Sequence, residues 1–395
     1  MKRLLLITLF VSVGLSQNRV NVNNLVQYGD KIFRETDDRP FNGMVFDISK
    51  ETGNKILEYK MLKGVKNGIY KEWYPNGTIK TKGKYLNGIE DRMWSIWYQN
   101  GQKEREGRYK DGVKDGLWSE WDLNGKIKEE VRYSGDYKIE ETIYSYYENG
   151  NNKSKEKRAN GKRNGLFTYW NENGLKLKEG KYRNGLMEGE WYFLVFNKEK
   201  EKWRSLKGSF KSGDGGNPNK ISGVPLNGRN GLFTGFYSNG QKKSIRNYKD
   251  GVLDGLTTDW YENGQMSLQA TFNDGIMIGK IESWFDDGTQ EREYYNNDDG
   301  TRDSTKLTIR WYTNGQKRIE AYMTTINGEA EWRGAYTSWD EDGNVQYEGT
   351  YLRNGKWEGK DFNWYENGQK RNETTYKDGE LISKEEWNRD GSVKE

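Results

Sequence analysis

A chain of 395 residues with a formal charge of only +4, in which Lys and Arg are interleaved with Asp and Glu, builds no field of one sign that would call for nucleic acid or an anionic membrane. The absence of cysteine and histidine excludes disulfides, thiolate metal sites, Cys nucleophiles and His-based acid–base chemistry. Hydrophobic residues at 32% against 31% charged would suggest disorder, but 16 Trp, 27 Tyr and 13 Phe supply burial through rings, and 48 Gly against four Pro point to short strands joined by tight turns.

Residues 1–16 carry a basic start at Lys2 and Arg3, an apolar run over 4–15, and the small residues Gly14 and Ser16 at the −3 and −1 positions of a cut. This is the layout of a signal peptide, and the run is well short of the roughly 20 residues that span a bilayer. The expected mature chain begins at Gln17 and is exported and soluble, in the periplasm or outside the cell. Without cysteine it cannot be a lipoprotein. Residues 17–40 read as a polar leader followed by a capping hairpin that turns at Gly29-Asp30.

From Phe41 to residue 395 one phrase recurs. WYENGQ stands at 260–265 and again at 364–369, with WYQNGQ at Trp97, WYTNGQ at Trp311, FYSNGQ at Phe236 and WYPNGT at Trp73. Its period of ~24 residues is the signature of a repeat array, here of about fourteen units. Each unit holds two turn signals, an Asn-Gly that reads as a type I′ hairpin turn and a doublet such as KDGVKDG over 110–116. Glycine at this density breaks any helical period. The predicted fold is all-β: an elongated repeat array of antiparallel β-hairpins, a single-layer twisted β-meander. Residues 212–228 form a loop inserted between units, and the last unit is charge-dense at Lys384, Glu385, Glu386, Lys394 and Glu395, which discourages edge pairing.

A two-residue turn at Asn76-Gly77 sets Trp73 opposite Lys80 and Tyr70 opposite Gly83. One face then carries Tyr70, Tyr74, Ile79, Gly83 and Tyr85, and the other carries Trp73 among Lys71, Lys80 and Lys82. The same register sets Trp94 opposite Gly107, whose bare backbone the ring can cover.

The combination of WYxNGQ with GRYKDG at 107–112 and GLW at 116–118, together with PFNGMVF at 40–46, resembles the bacterial MORN-repeat variant, a family often labelled as the YwqK-like antitoxin of toxin–antitoxin systems. The resemblance implies a β-hairpin repeat with a binding or scaffolding role and carries no catalytic residues to this chain. The antitoxin label implies a protein partner that is neutralised.

Trp73, Trp97, Trp121, Trp170, Trp260, Trp284, Trp311, Trp339 and Trp364 recur at one repeat position, several flanked by alternating Lys and Glu. A row of rings with charged margins suits an extended ligand. The first expectation is a non-enzymatic scaffold that binds a protein, with no cofactor and no metal. The second is a binder of glycan or cell-envelope polymer through ring stacking, although the rings also supply the burial that a sheet without a second layer needs. The third is a glycoside hydrolase using carboxylate pairs such as Asp286-Asp287 or Asp298-Asp299. These pairs compete with a simpler role, since Asp286-Asp287 occupies the turn of its own repeat. The segment 340–344, DEDGN, lacks the glycine and the terminal acid of a calcium loop, having Val345 and Tyr351 there.

Overall fold

The computed structural model describes residues 18–197, 202–220 and 222–394. The expected signal peptide, residues 1–16, lies outside them. The chain forms two compact units, 1–164 and 165–395.

In the first unit, the strands Gly43–Ile48, Lys55–Leu62, Val65–Trp73, Ile79–Leu86, Ile89–Trp97, Lys103–Lys110, Val113–Trp121, Ile127–Ser134, Tyr137–Tyr146 and Asn152–Ala159 follow one another, each antiparallel to the next. The outer edge of Gly43–Ile48 is taken by Arg19–Asn21, which pairs with it in parallel. A separate hairpin, Leu25–Tyr28 with Lys31–Arg34, sends Leu25 and Ile32 against buried Val20, Phe41, Val45, Tyr59 and Met61. A sheet edge that would otherwise offer unpaired backbone is thereby covered.

The second unit repeats the plan from Gly165 to Glu386, each strand pairing antiparallel with the next, except that Val252–Leu253 and Gly255–Trp260 both pair with Lys242–Lys249 as two pieces of one strand. The fold is the all-β meander of hairpins that the period predicts. Between Lys202–Gly213 and Arg229–Phe236, the loop 214–228 turns Val224 into the core.

The turn of the WYxNG phrase is not the type I′ turn expected. Type I′ geometry, with both central residues at positive φ, belongs to the doublet end, as at Asn87-Gly88 (52° and 93°) and Asp111-Gly112 (52° and 81°). The WYxNG end is a three-residue loop. Gly77 N–H donates to Tyr74 O at 2.8 Å, Tyr74 N–H donates to Thr78 O at 2.8 Å, and only Gly77 turns to positive φ, at 86°. This is a type I turn closed by a glycine bulge. Asn76 helps to hold it by accepting from Thr78 N–H at 3.0 Å.

The longer loop moves Trp73 opposite Ile79 instead of Lys80, and a bulge then restores the register, so that Tyr70 does face Gly83 and Trp94 does face Gly107. The ring of Trp94, however, leans the other way. It covers Gly83, where a Cβ would fall 2.2 Å from the indole, and donates its Nε1–H to Lys84 O at 3.2 Å. Gly107 is covered by Trp118 of the next repeat, which donates to Arg108 O at 3.1 Å.

These rings are the core. On one face of the first unit Tyr70, Tyr85, Trp94, Tyr109, Trp118 and Tyr133 form a ladder with neighbouring centroids 5.0 to 6.5 Å apart, mostly edge to face. Phe167, Tyr182, Trp191, Phe210, Phe233 and Tyr248 do the same in the second. Truncating a fully buried ring costs about 3–5 kcal/mol, so a chain thin in Val, Ile and Leu can still hold together through such pairs.

Candidate functional site

Every tryptophan of the expected binding row ends a strand. Trp73, Trp97 and Trp121 do so in the first unit, and Trp170, Trp260, Trp284, Trp311, Trp339 and Trp364 in the second. All are half-buried, and each sits at a register shift against the following strand. Because side chains alternate along a strand, Trp97 and Trp121 lie on the face opposite the buried Trp94 and Trp118.

This row is not a run of bare rings. In several repeats the lysine that follows the turn reaches the tryptophan of the next repeat. Lys55 lies 5.6 Å from the centre of the Trp73 ring, Lys103 5.4 Å from Trp121, Lys317 5.7 Å from Trp339 and Lys370 5.4 Å from Trp387. The same lysines pair with a glutamate three residues on. Lys55 meets Glu58 at 2.7 Å, Lys103 meets Glu106 at 2.8 Å and Lys370 meets Glu373 at 2.7 Å. The hydrogen bond from Lys55 holds the Glu58 carboxyl below its ordinary pKa, and Lys360 and Lys370 do so for Glu373. The ammonium groups are thus fixed between ring and carboxylate.

The rest of the phrase stitches the repeats together. The Tyr98 hydroxyl donates to Trp121 O at 2.9 Å, Tyr261 to Trp284 O at 2.8 Å, Tyr312 to Trp339 O at 2.9 Å and Tyr365 to Trp387 O at 2.9 Å. Two residues further on, Asn100 Nδ2 donates to Leu123 O at 2.9 Å, and Asn314 to Glu341 O at 2.8 Å. Gln102 then fills the space before Gly125, where a Cβ would fall 2.9 Å from its Oε1. Tyr, Asn, Gly and Gln of WYxNGQ are all used in one column of turns.

Sequence reasoning missed a second row on the tryptophan face. Ile69, Met93 and Leu117, four residues before Trp73, Trp97 and Trp121, are 57%, 53% and 47% exposed. They stand directly opposite Lys84, Arg108 and Arg132. Leu232 and Leu256 hold the same place in the second unit and are also exposed. The signal was present: an aliphatic residue next to a core ring on a strand must point to the other face.

The carboxylates considered for hydrolysis hold turns. Asp287 accepts from Thr289 N–H at 2.7 Å, and Asp299 accepts from the Thr301 hydroxyl at 2.6 Å and its N–H at 2.9 Å, which keeps its pKa below the usual value. Asp340 accepts from Asn344 N–H at 2.8 Å within its own turn. Among the described residues no acidic group of three or more converges as a metal site, and no helix is long and apolar enough to cross a membrane.

A search of curated protein sequences finds no match. Among solved structures, the chain is similar to the crystal structure of TcdB2-TccC3-Cdc42, with 12% identity over 93% of this chain and a TM-score of 0.17. It is similar in the same degree, over 92% of its length, to that of TcdB2-TccC3 without the hypervariable C-terminal region. The chain spans 19% and 18% of those two chains. Six segments, 66–87, 114–134, 229–250, 253–274, 333–352 and 357–378, match the model of the MORN repeat variant, and each covers a hairpin of the meander closed by the three-residue turn.

Proposed function

We propose that this chain is a non-enzymatic, exported repeat scaffold whose tryptophan face binds a partner protein, in the manner of an antitoxin or immunity protein. The observation that carries the reading is the row of Ile69, Met93 and Leu117, exposed at one per repeat and alternating with Lys84, Arg108 and Arg132. Apolar side chains left in water at a fixed spacing, bordered by charge, favour a surface that offers aliphatic contacts beside carboxylates. Sugar stacking is the weaker reading, because it needs a free ring face and the lysines already lie over several of these rings.

The test is capture by the full chain from envelope extracts, followed by reconstitution with the purified partner. Exposed side chains away from special features change stability by about 0.5 kcal/mol or less, so Met93→Ser with Leu117→Ser should melt like the wild type. That variant is expected to lose the reconstituted partner at least tenfold. Undiminished binding, or capture of polysaccharide alone, overturns the reading. Mass spectrometry of the captured chain, expected to begin at Gln17, tests export separately.

A further inference from the structure

Arg229 opens the strand Arg229–Phe236 at the end of the loop 214–228 and is only 5% exposed. Its Nε donates to Pro225 O at 2.8 Å, one terminal nitrogen to the Tyr248 hydroxyl at 3.0 Å, and the other to Val224 O at 3.4 Å. The guanidinium lies 4.6 Å from the Phe233 ring centre and 5.1 Å from that of Tyr248. All of these partners are neutral. Taking a charge out of water without a counter-charge is costly, and such a group ordinarily finds an anion.

A cavity of about 260 Å³ opens beside it, between the loop and the strands Lys202–Gly213, Arg229–Phe236 and Lys242–Lys249. Gly235 forms part of its wall without a side chain; a Cβ there would fall 2.8 Å from Ser244 Oγ. Arg204, Arg229, Lys243 and Arg246 line it together with Ser222 and Ser244, and none of the lining residues is acidic. Arg246 is held by Asp259 at 3.0 Å, just outside the lining. The Arg204 Nε is buried and has no hydrogen-bond partner.

We propose that this cavity binds a tetrahedral oxyanion, a phosphate or sulfate group either free or as a monoester. Guanidinium groups present paired N–H donors at the spacing of two oxygens on such an ion, and the hydroxyl of Ser244 adds a neutral donor that does not repel it. The volume lies below the roughly 300–1,000 Å³ of pockets for drug-sized ligands, which fits a single anionic group. An anion here would supply the counter-charge that Arg229 lacks. The site is built by the inserted loop and by Gly235, so it is distinct from the protein-binding row.

Calorimetric titration and thermal melts of the full chain decide the matter, with inorganic phosphate and sulfate compared against chloride at equal ionic strength. Saturable binding and a rise in melting temperature that grows with ligand concentration are expected. Arg204→Gln should melt no lower than the wild type without ligand and should weaken phosphate binding at least tenfold. Gly235→Ala, which fills the wall and leaves every cation in place, should weaken it as well, so an unfolded Arg204 variant would not protect the idea. No effect of phosphate or sulfate beyond chloride, or wild-type affinity in both variants, overturns it. A third arm with glycerol 3-phosphate separates the sources: tighter binding than phosphate assigns an ester, and equal or weaker binding assigns the free ion.

Discussion

Arg92 holds a φ of 63° at the place where sister repeats put Gly68 (114°) and Gly116 (78°), five residues before the tryptophan that ends the strand. Left-handed backbone costs a residue with a Cβ about 1–2 kcal/mol. Against this, the Arg92 side chain offers only an ion pair with Asp91 at 3.5 Å, largely exposed and therefore weak. Arg92→Gly is expected to raise stability by about 1 kcal/mol, partly offset by the freedom that glycine gives the unfolded chain. Urea denaturation checks it, and an unmoved or lower midpoint would sink the argument. The same position shows what sequence conveys at this scale. A recurring glycine marks the bulge, and an arginine in its place does not reveal that the backbone turns there all the same.

Hairpins, their number and their alternation were legible because turn glycines and period-two patterns are local. The register of the strand bodies was legible too, as Tyr70 with Gly83 and Trp94 with Gly107 attest. Two details were not. A three-residue turn and a compensating bulge leave the same alternation behind as a two-residue turn, so the displacement of Trp73 from Lys80 to Ile79 is invisible to pattern. Whether Trp94 leans on Gly83 or Gly107 is a choice between two neighbouring strands, which packing decides. The binding row shares this difficulty: recurrence located the tryptophans, but only the fold shows lysines over several of them and Met93 and Leu117 bare beside them. The turn column carries its own prediction. Tyr98→Phe removes the hydrogen bond to Trp121 O and should cost about 1 kcal/mol, with faster amide exchange concentrated in the turn after Trp121. Unchanged exchange there would mean that the tyrosine packs without stitching.

Within each unit a strand meets chiefly its neighbours in the chain, so cohesion is a sum over adjacent hairpins, and what weakens all of them together must be common to the rings. Alkali is such an agent. Burial, with the hydrogen bond to Glu72 behind it, raises the Tyr70 pKa far above its ordinary value, and burial with the Glu90 charge does the same for Tyr85. A phenol raised in this way favours the fold at every pH below its unfolded value near 10, and that contribution drains away as the pH climbs from there toward the folded value. With no histidine in the chain, melting temperature should stay level from about pH 6 to 9 and fall above about pH 10. Phenolate absorbance should rise together with unfolding, and Tyr70→Phe should delay the alkaline fall; a histidine-like transition near neutrality, or ionisation of these phenols in the folded chain, contradicts this. The turn column has a different kind of consequence. Its donors and acceptors are 23 residues apart at Tyr98 and 27 at Tyr312, the extra length being taken up where Lys317–Ile326 and Glu329–Trp339 run longer toward the opposite turn. Residues can therefore be added at the doublet end without disturbing the column. Excising or duplicating one whole hairpin brings a tyrosine back to an equivalent carbonyl, whereas gaining a single strand sets unlike turns side by side and leaves a hydroxyl without an acceptor. The chain can change length in steps, as a tape is spliced only at its frame lines.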